Sequence, residues 1–300
     1  MTPSDVFIVR NPVAGGRRGR QIWPAIRAAL SAEGIGVVEE VAQRPGHPWL
    51  LAEHAARAGY SVVAAAGGDG TIHEVLNGIM RGRPGQPPAL AIIPVGTANI
   101  FVRELNLPQD PSGIAEMLRH GRRRRIDLGQ VNDRYYATIA GIGFDAEVVH
   151  RSRGWPHWLG GKARHLLAAL GTLPRYRAVS ARVRVNGREE RLPLYLLAAA
   201  NTSWYGGGIR IAPHARVDDG RLSVVVLGDL SIREVFGTLR STLAGTHLQL
   251  PKVGHTMAEE IRVDADVPLA IHADGEDLGR GPAAFRCIPG GLEVIVPVQA

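Results

Sequence analysis

One cysteine, Cys287, stands among the 300 residues. An intramolecular disulfide is excluded, and the chain suits a reducing compartment. Aromatic residues make up only 5%, and none interleave with basic runs as single-strand nucleic-acid binding requires. No long apolar run is present either. The uncharged stretch most suggestive of a span, residues 192–209, contains Pro193, Asn201, Thr202 and three consecutive glycines. It reads as a strand followed by a loop, not a membrane span. Asp5 and Arg10 interrupt the apolar start, so no signal peptide is expected and a cytoplasmic protein is. No serine sits in a Gly-x-Ser-x-Gly elbow, and no Cys or His pair has zinc-site spacing. Internal repeats and low-complexity segments are absent.

What is present is ordinary in bulk: 45% hydrophobic and 21% charged residues, with a length suited to two domains. The net charge of +7 and pI near 10.1 favour anionic partners, whether nucleotide, nucleic acid or acidic membrane.

The chain is organised around Gly67-Gly68-Asp69-Gly70-Thr71. Residues 61–66 before it form a short uncharged run bounded by Gly59 and Gly67, which reads as a buried strand. Ile72, Val75, Leu76, Ile79 and Met80 after it make the apolar stripe of a packed helix. A glycine-rich strand-to-helix turn offers free N–H groups and a helix dipole to an anion. Asp69 is out of place in an anion site unless a cation comes too, and a phosphate carrying a divalent metal meets both needs. A turn with Asp69 and Thr71 as capping residues is the plainer alternative. A second turn, Val95-Gly96-Thr97-Ala98-Asn99, follows the apolar run 89–94. Two such turns at successive strand ends are expected to converge on one crevice of an open α/β sheet.

The first hundred residues read as β-α-β-α-β-α-β, with strands at 5–10, 35–41, 61–66 and 89–94. That order predicts a mostly parallel sheet with helices on both faces. Asn11-Pro12-Val13-Ala14-Gly15-Gly16 ends the first strand, and Arg17, Arg18 and Arg20 follow. No Lys-Ser or Lys-Thr makes it a Walker A loop, and His73 replaces the third glycine of a dinucleotide fingerprint. A boundary is expected near Arg122–Arg125, a run that reads as the solvated end of a strand or helix rather than a nucleic-acid arm. Beyond it, Asn186-Gly187 predicts a hairpin joining 179–185 to 192–199. Further strands are expected at 221–227, 260–264, 269–273, 283–287 and 292–297, with a helix at 232–243. This half reads as a mainly antiparallel sandwich. The domains are therefore placed at 1–127 and 128–300, with the last few residues free to return to the first.

Two acidic groups in the second half carry candidate chemistry. Asp218-Asp219-Gly220 can hold a hard cation through a carboxylate and nearby carbonyls, or is an Asp-Gly turn. Asp274-Gly275-Glu276 follows a buried-strand run, and the glycine should keep both carboxylates accessible to accept a proton from a substrate hydroxyl. A plain turn is again the alternative.

Asn11-Pro12, Gly67–Thr71, Pro94-x-Gly96-Thr97-x-Asn99, Gly143-Phe144-Asp145, Asp219-Gly220 and Asp274-Gly275-Glu276 occur in that order. Together they resemble the diacylglycerol kinase catalytic-domain family, bacterial lipid kinases related to sphingosine kinases. The resemblance covers nearly the whole chain; its Gly-Gly-Asp-Gly-Thr element is shared with NAD kinases and phosphofructokinases. It implies an NAD-kinase/phosphofructokinase-like α/β nucleotide domain, a C-terminal β-sandwich, and ATP and lipid meeting in a cleft. Asn11, Gly67, Gly68, Asp69, Gly70, Thr71, Glu74 and Thr97 would line the nucleotide, with Asp69 organising phosphates and Mg2+. Asp219 with the carbonyls of Arg216 and Arg221 would hold a structural magnesium. Glu276 would accept the proton, with Asp274 beside it. Ile100 stands where the family usually has Asp, and Ala42 where a threonine is expected. Three functions follow for test: a lipid kinase, an NAD kinase, and a non-catalytic nucleotide- or lipid-binding module. A lipid substrate and no nucleic acid are expected, and a homodimer stays open. For a lipid kinase, peripheral contact with an anionic membrane is expected through residues 155–173. That stretch offers Trp155, Trp158 and an apolar stripe flanked by Lys162, Arg164 and His165; packing on the sandwich is the alternative.

Overall fold

The computed structural model describes residues 6–156, 159–205 and 209–298. The chain divides into two compact units, Met1–Ile126 with Gly290–Ala300, and Asp127–Pro289.

In the first unit, strands and helices alternate: β1 (Val6–Arg10), α1 (Gly16–Ala32), β2 (Val37–Val41), α2 (His47–Arg57), β3 (Val62–Gly67), α3 (Asp69–Gly82), β4 (Ala89–Pro94), α4 (Ile100–Glu104) and α5 (Pro111–His120). The strands form a parallel sheet in the order β2-β1-β3-β4. Every residue of β3 and β4 is buried, because helices on both faces leave a parallel strand no solvent side. Ile72, Val75, Leu76, Ile79 and Met80 bury one face of α3. Since β1, β3 and β4 are parallel and in register, with Arg10 beside Ala66 and Gly67 beside Pro94, their C-terminal turns fall on one edge of the sheet. The helix after β3 starts earlier than the apolar stripe suggests: Asp69, Gly70 and Thr71 form the first turn of α3.

The chain continues through β5 (Arg122–Val131), β6 (Arg134–Tyr136), β7 (Ile139–Gly143), α6 (Phe144–Ser152), α7 (Gly160–Thr172), β8 (Val179–Val185), β9 (Arg188–Leu194), β10 (Leu196–Ala200), β11 (Leu222–Leu227), α8 (Ile232–Leu243), β12 (Val253–Ala258), β13 (Glu260–Ala265), β14 (Leu269–Ala273), β15 (Glu276–Gly281) and β16 (Ala283–Val296). In the second unit β12-β11-β10-β7-β14-β15 make an antiparallel sheet, and β13 pairs antiparallel with both β8 and the start of β16. Ile142, Leu197, Val224 and Ile271 of the first layer share a core with Val183, Ile261 and Phe285 of the second. The other face of the six-stranded sheet carries Tyr195, Leu196, Val225 and Leu227, against which Phe144, Tyr176 and Val235 pack.

Two sequence expectations are corrected here. The hairpin partner of β8 is 188–194, not 192–199: β9 presents Arg188, Glu189, Glu190 and Arg191 to water, whereas β10 is apolar and buried throughout in the other sheet. The separate strands at 283–287 and 292–297 are one strand, β16. Short strands β6, β7, β12 and β15 and helix α6 were not anticipated. The arginine run begins β5, where Arg123 and Arg125 lie 3.1 and 3.5 Å from Glu293.

Candidate active site

Three turns meet at the C-terminal edge of the parallel sheet. The Gly67 carbonyl accepts the N–H groups of Val95 and Gly96, both at 3.1 Å. The backbones come so close that a Cβ on Gly96 would overlap the Cα of Gly68. Gly15 has φ +66, and a Cβ there would strike the Val95 carbonyl. Only glycine fits either place. Asn11 fastens the first turn to the second: its side-chain amide donates to Thr71 Oγ1 at 2.9 Å, and its own N–H donates to the Ala66 carbonyl at 2.9 Å. Asn11, Gly67, Gly68, Asp69, Gly70 and Thr71 are thus brought together. Glu74 follows one turn later on α3, half-buried.

Arg17, Arg18 and Arg20 open α1, and the first turn of that helix holds no acidic residue. Cations at a helix N-terminus oppose its dipole, an arrangement that a bound anion reverses. Thr97 lines a cavity of about 530 Å³ with Arg18, Asn99, Arg103, Asn106 and Gln109, within the usual size of a small-ligand pocket.

Asp69 does more than the sequence suggested. Its Oδ1 accepts the N–H of Ile100 at 2.9 Å and of Phe101 at 3.4 Å, capping α4. Asn99 sits before that helix with φ 48 and no capping side chain of its own. The link between residues 69 and 100 therefore runs through the Ile100 main chain.

In the second unit, Asp274 (φ 50) and Gly275 (φ 82) form the two-residue turn between β14 and β15, with Ala273 opposite Glu276. Positive φ at both places marks the mirror-image turn favoured in hairpins. The expectation that both carboxylates stay accessible is corrected for Asp274. Its oxygens take the N–H of Ala137 at 3.0 Å, the N–H of Thr138 at 2.8 Å and Thr138 Oγ1 at 2.6 Å. These bonds anchor the turn to the chain entering β7. Glu276 is exposed. Beside them, sequence reading missed His272: fully buried on β14, it lies with Nε2 3.0 Å from Asp145 Oδ2 and 3.4 Å from the Tyr205 hydroxyl. Its place inside an apolar run hid it.

Asp219 lies in the turn before β11, accepting the Arg221 N–H at 3.1 Å, while the Arg216 side chain is 3.7 Å from Asp218. The neighbour that sequence reading missed is Asp127 on β5, 3% exposed, which accepts the Gly220 N–H at 2.6 Å. Partial burial of the carboxyl raises the Asp219 pKa, against lowering by the Arg221 N–H; the negative charge of Asp127 raises it further. A hard cation would relieve that repulsion. No group of three or more His, Cys, Asp or Glu side chains suited to a metal occurs among the described residues, so such an ion would need main-chain carbonyls and water as well.

Two asparagines, Asn77 and Asn201, are engaged with the main chain. The Asn77 amide donates to the His73 carbonyl at 2.9 Å. The Asn201 amide donates to the carbonyls of Asp127 and Ala137, each at 2.9 Å. Asn201 thus joins two main-chain segments, whereas the Asn77 bond stays within α3.

The pattern described as "Diacylglycerol kinase catalytic domain" matches residues 5–131, and that of "YegS C-terminal NAD kinase beta sandwich-like domain" matches residues 138–296. The chain belongs to the diacylglycerol kinase catalytic-domain family. This family of lipid kinases includes a Staphylococcus haemolyticus diacylglycerol kinase that is 29% identical, over 97% of this chain and 87% of that one. A Staphylococcus aureus (strain MRSA252) diacylglycerol kinase is 28% identical, over 97% and 91%. A solved diacylglycerol kinase structure from Bacillus anthracis str. Sterne has the same fold, with a TM-score of 0.80 at 22% identity, covering 100% of this chain and 99% of that one. An α/β domain of mostly parallel sheet with an antiparallel β-sandwich is the family architecture, as the sequence predicts.

Proposed function

We propose that this protein is a magnesium-dependent kinase that transfers the γ-phosphate of ATP to a hydroxyl of diacylglycerol or a related lipid. The convergence of three glycine-rich turns beside the arginines at the α1 N-terminus carries this reading, because backbone N–H groups and cations there suit a polyphosphate. Asn11, Gly67, Gly68, Gly70, Thr71, Glu74 and Thr97 line the nucleotide. The lipid hydroxyl attacks the γ-phosphorus, the bond to the β,γ-bridging oxygen breaks to leave ADP, and Glu276 takes the hydroxyl proton. Asp274 positions the hairpin that presents Glu276. The chemistry that magnesium supplies is neutralisation of phosphate charge, with Asp69 as its protein partner. A second ion would sit at Asp219, with the carbonyls of Arg216 and Arg221. We place the enzyme in the cytoplasm, reaching its substrate from the membrane surface.

The test is transfer of labelled γ-phosphate from ATP to diacylglycerol, phosphatidylglycerol, a sphingoid base and NAD, with and without magnesium. Magnesium-dependent labelling of a lipid is the expected result. Labelling of NAD alone would make it an NAD kinase, and labelling of nothing a binding module.

A further inference from the structure

We propose that α8 docks this protein on an anionic lipid bilayer, through an apolar stripe of Ile232, Phe236, Leu239 and Leu243 rimmed by Arg233 and Arg240. The proposal rests on the reading that the acceptor is a bilayer lipid, which a chain must reach at the membrane surface.

The helix is amphipathic in the wrong sense for a helix that only covers a core. Thr238 and Thr242 are buried at 8% and 5% exposure, while Ile232, Phe236, Leu239 and Leu243 are exposed at 41%, 55%, 45% and 67%. Within that pair the Thr242 hydroxyl is satisfied, donating to the Thr238 carbonyl at 2.7 Å. Offsets of 4, 7 and 11 residues from Ile232 place the four apolar side chains within about 60° of arc at 3.6 residues per turn. The stripe has length as well, about 16 Å at 1.5 Å per residue. Val235 alone among the large apolar residues turns inward to the sheet.

Charge selects the occupant. Arg233 and Arg240 both lie about 70–90° around the helix from the stripe centre, and both are exposed. The helix has one acidic residue, Glu234, and it is neutralised: Lys252 Nζ lies 2.8 Å from it and Ser231 donates to it, holding its pKa at about 2. The outward face is therefore apolar with a cationic edge, the pattern of an interfacial helix on anionic lipid. A second copy of this chain fits less well. One 12-residue helix offers less than the ~800 Å² that each partner of a stable dimer buries, and pairing two such faces would bring like charges together. The stretch 155–173 shares part of this exposure, in Trp155, Leu166 and Leu170, but buries Ala168 and Thr172; Trp158 lies outside the described residues.

The experiment is co-sedimentation of the full chain with phosphatidylcholine vesicles, with and without phosphatidylglycerol. Wild type should bind the anionic vesicles and bind them less at high salt. Phe236→Ser/Leu239→Ser should lower binding by about tenfold or more, and Arg233→Gln/Arg240→Gln should abolish the preference for phosphatidylglycerol. The apolar variant should keep its melting temperature and its turnover on a short-chain, water-dispersed diacylglycerol. Binding unchanged in the apolar variant overturns the proposal, as does loss seen only in Leu166→Ser/Leu170→Ser. A wild-type dimer that the apolar variant dissociates, with no vesicle binding, makes a second copy the occupant instead. Vesicle binding through α8 without phosphorylation of any lipid would sink the kinase reading and leave the docking surface standing. Turnover on dispersed diacylglycerol without vesicle binding would do the reverse.

Discussion

Replacing Asp69 by asparagine and by alanine separates two tasks of one carboxylate. Asparagine keeps a side-chain oxygen for the N–H groups of Ile100 and Phe101 but loses the charge. Alanine loses both. Phe101 is 1% exposed, so its N–H has little water to turn to once Asp69 Oδ1 is gone. Loss of a helix cap together with a stranded N–H costs about 1–3 kcal/mol. At about 2–4 °C per kcal/mol for a protein of this size, that is a fall in Tm of roughly 2–12 °C. Asparagine should leave Tm within about 1 °C of wild type, since its amide oxygen remains an acceptor at a capping position. Both variants should lose at least about 10²-fold in phosphoryl transfer, because charge stabilisation dominates that chemistry. The assay pairs calorimetry with labelled phosphate transfer to diacylglycerol at several magnesium concentrations. Asp69→Asn with near-normal turnover and unchanged magnesium dependence would remove the charge from the mechanism. Asp69→Ala at the wild-type Tm would refute the capping role.

Glu276→Gln should lower kcat by about 10²–10⁴ with little change in KM for ATP. Asp274→Asn should instead lower Tm, since an NH2 group cannot accept from Ala137 or Thr138; a silent Glu276→Gln beside an inactive, fully stable Asp274→Asn would reverse the two roles. Asp219→Ala should abolish any rise of Tm with added magnesium, as linkage to a native-state site requires; an unchanged rise places the ion elsewhere. For pH the sign follows from the raised Asp219 pKa. Its favourable contribution in the metal-free protein is full below the unfolded carboxyl pKa and is lost as pH rises through the raised native value. Magnesium prefers the ionised carboxylate, so the magnesium-induced rise of Tm should grow over that same rise in pH; a rise of Tm independent of pH there would exclude Asp219 as a ligand.

The parallel half of the fold was legible because its signals are local and agree with one another. A run such as Val62–Ala66 is apolar on both faces, and the Ile72–Met80 stripe has one period only. The sandwich was harder to read, because strand partners there are distant in sequence and a single position can change sheets. Residues 192–199 read as one strand, yet Tyr195 divides a water-facing strand from a buried one. Charge alternation in Arg188–Arg191 against the plain apolar run Leu196–Ala200 was the available sign. Glycine within 283–296 looked like a break, but Gly290 continues β16 with φ 57.

The candidate site divides along the same line. Glycine spacing discloses a turn, so Asn11, Gly67–Thr71 and Thr97 could be picked out from sequence. What a carboxylate touches across more than a hundred residues cannot be read that way. Asp274 looked like half of a pair of bases, and only its three donors from Ala137 and Thr138 identify it as the anchor of the hairpin. Asp127 was invisible inside Arg122–Val131, where an acidic residue in a basic strand suggests nothing more than an ion pair. Its contact with Gly220 across 93 positions makes it the second charge at the Asp219 turn. The two carboxylates differ in kind. Asp274 accepts three hydrogen bonds from Ala137 and Thr138, whereas Glu276, two residues on, is open to solvent. That asymmetry is what supports Glu276 rather than Asp274 as the proposed base, and it comes from a turn in which Asp274 and Gly275 at positive φ set the two side chains in different surroundings.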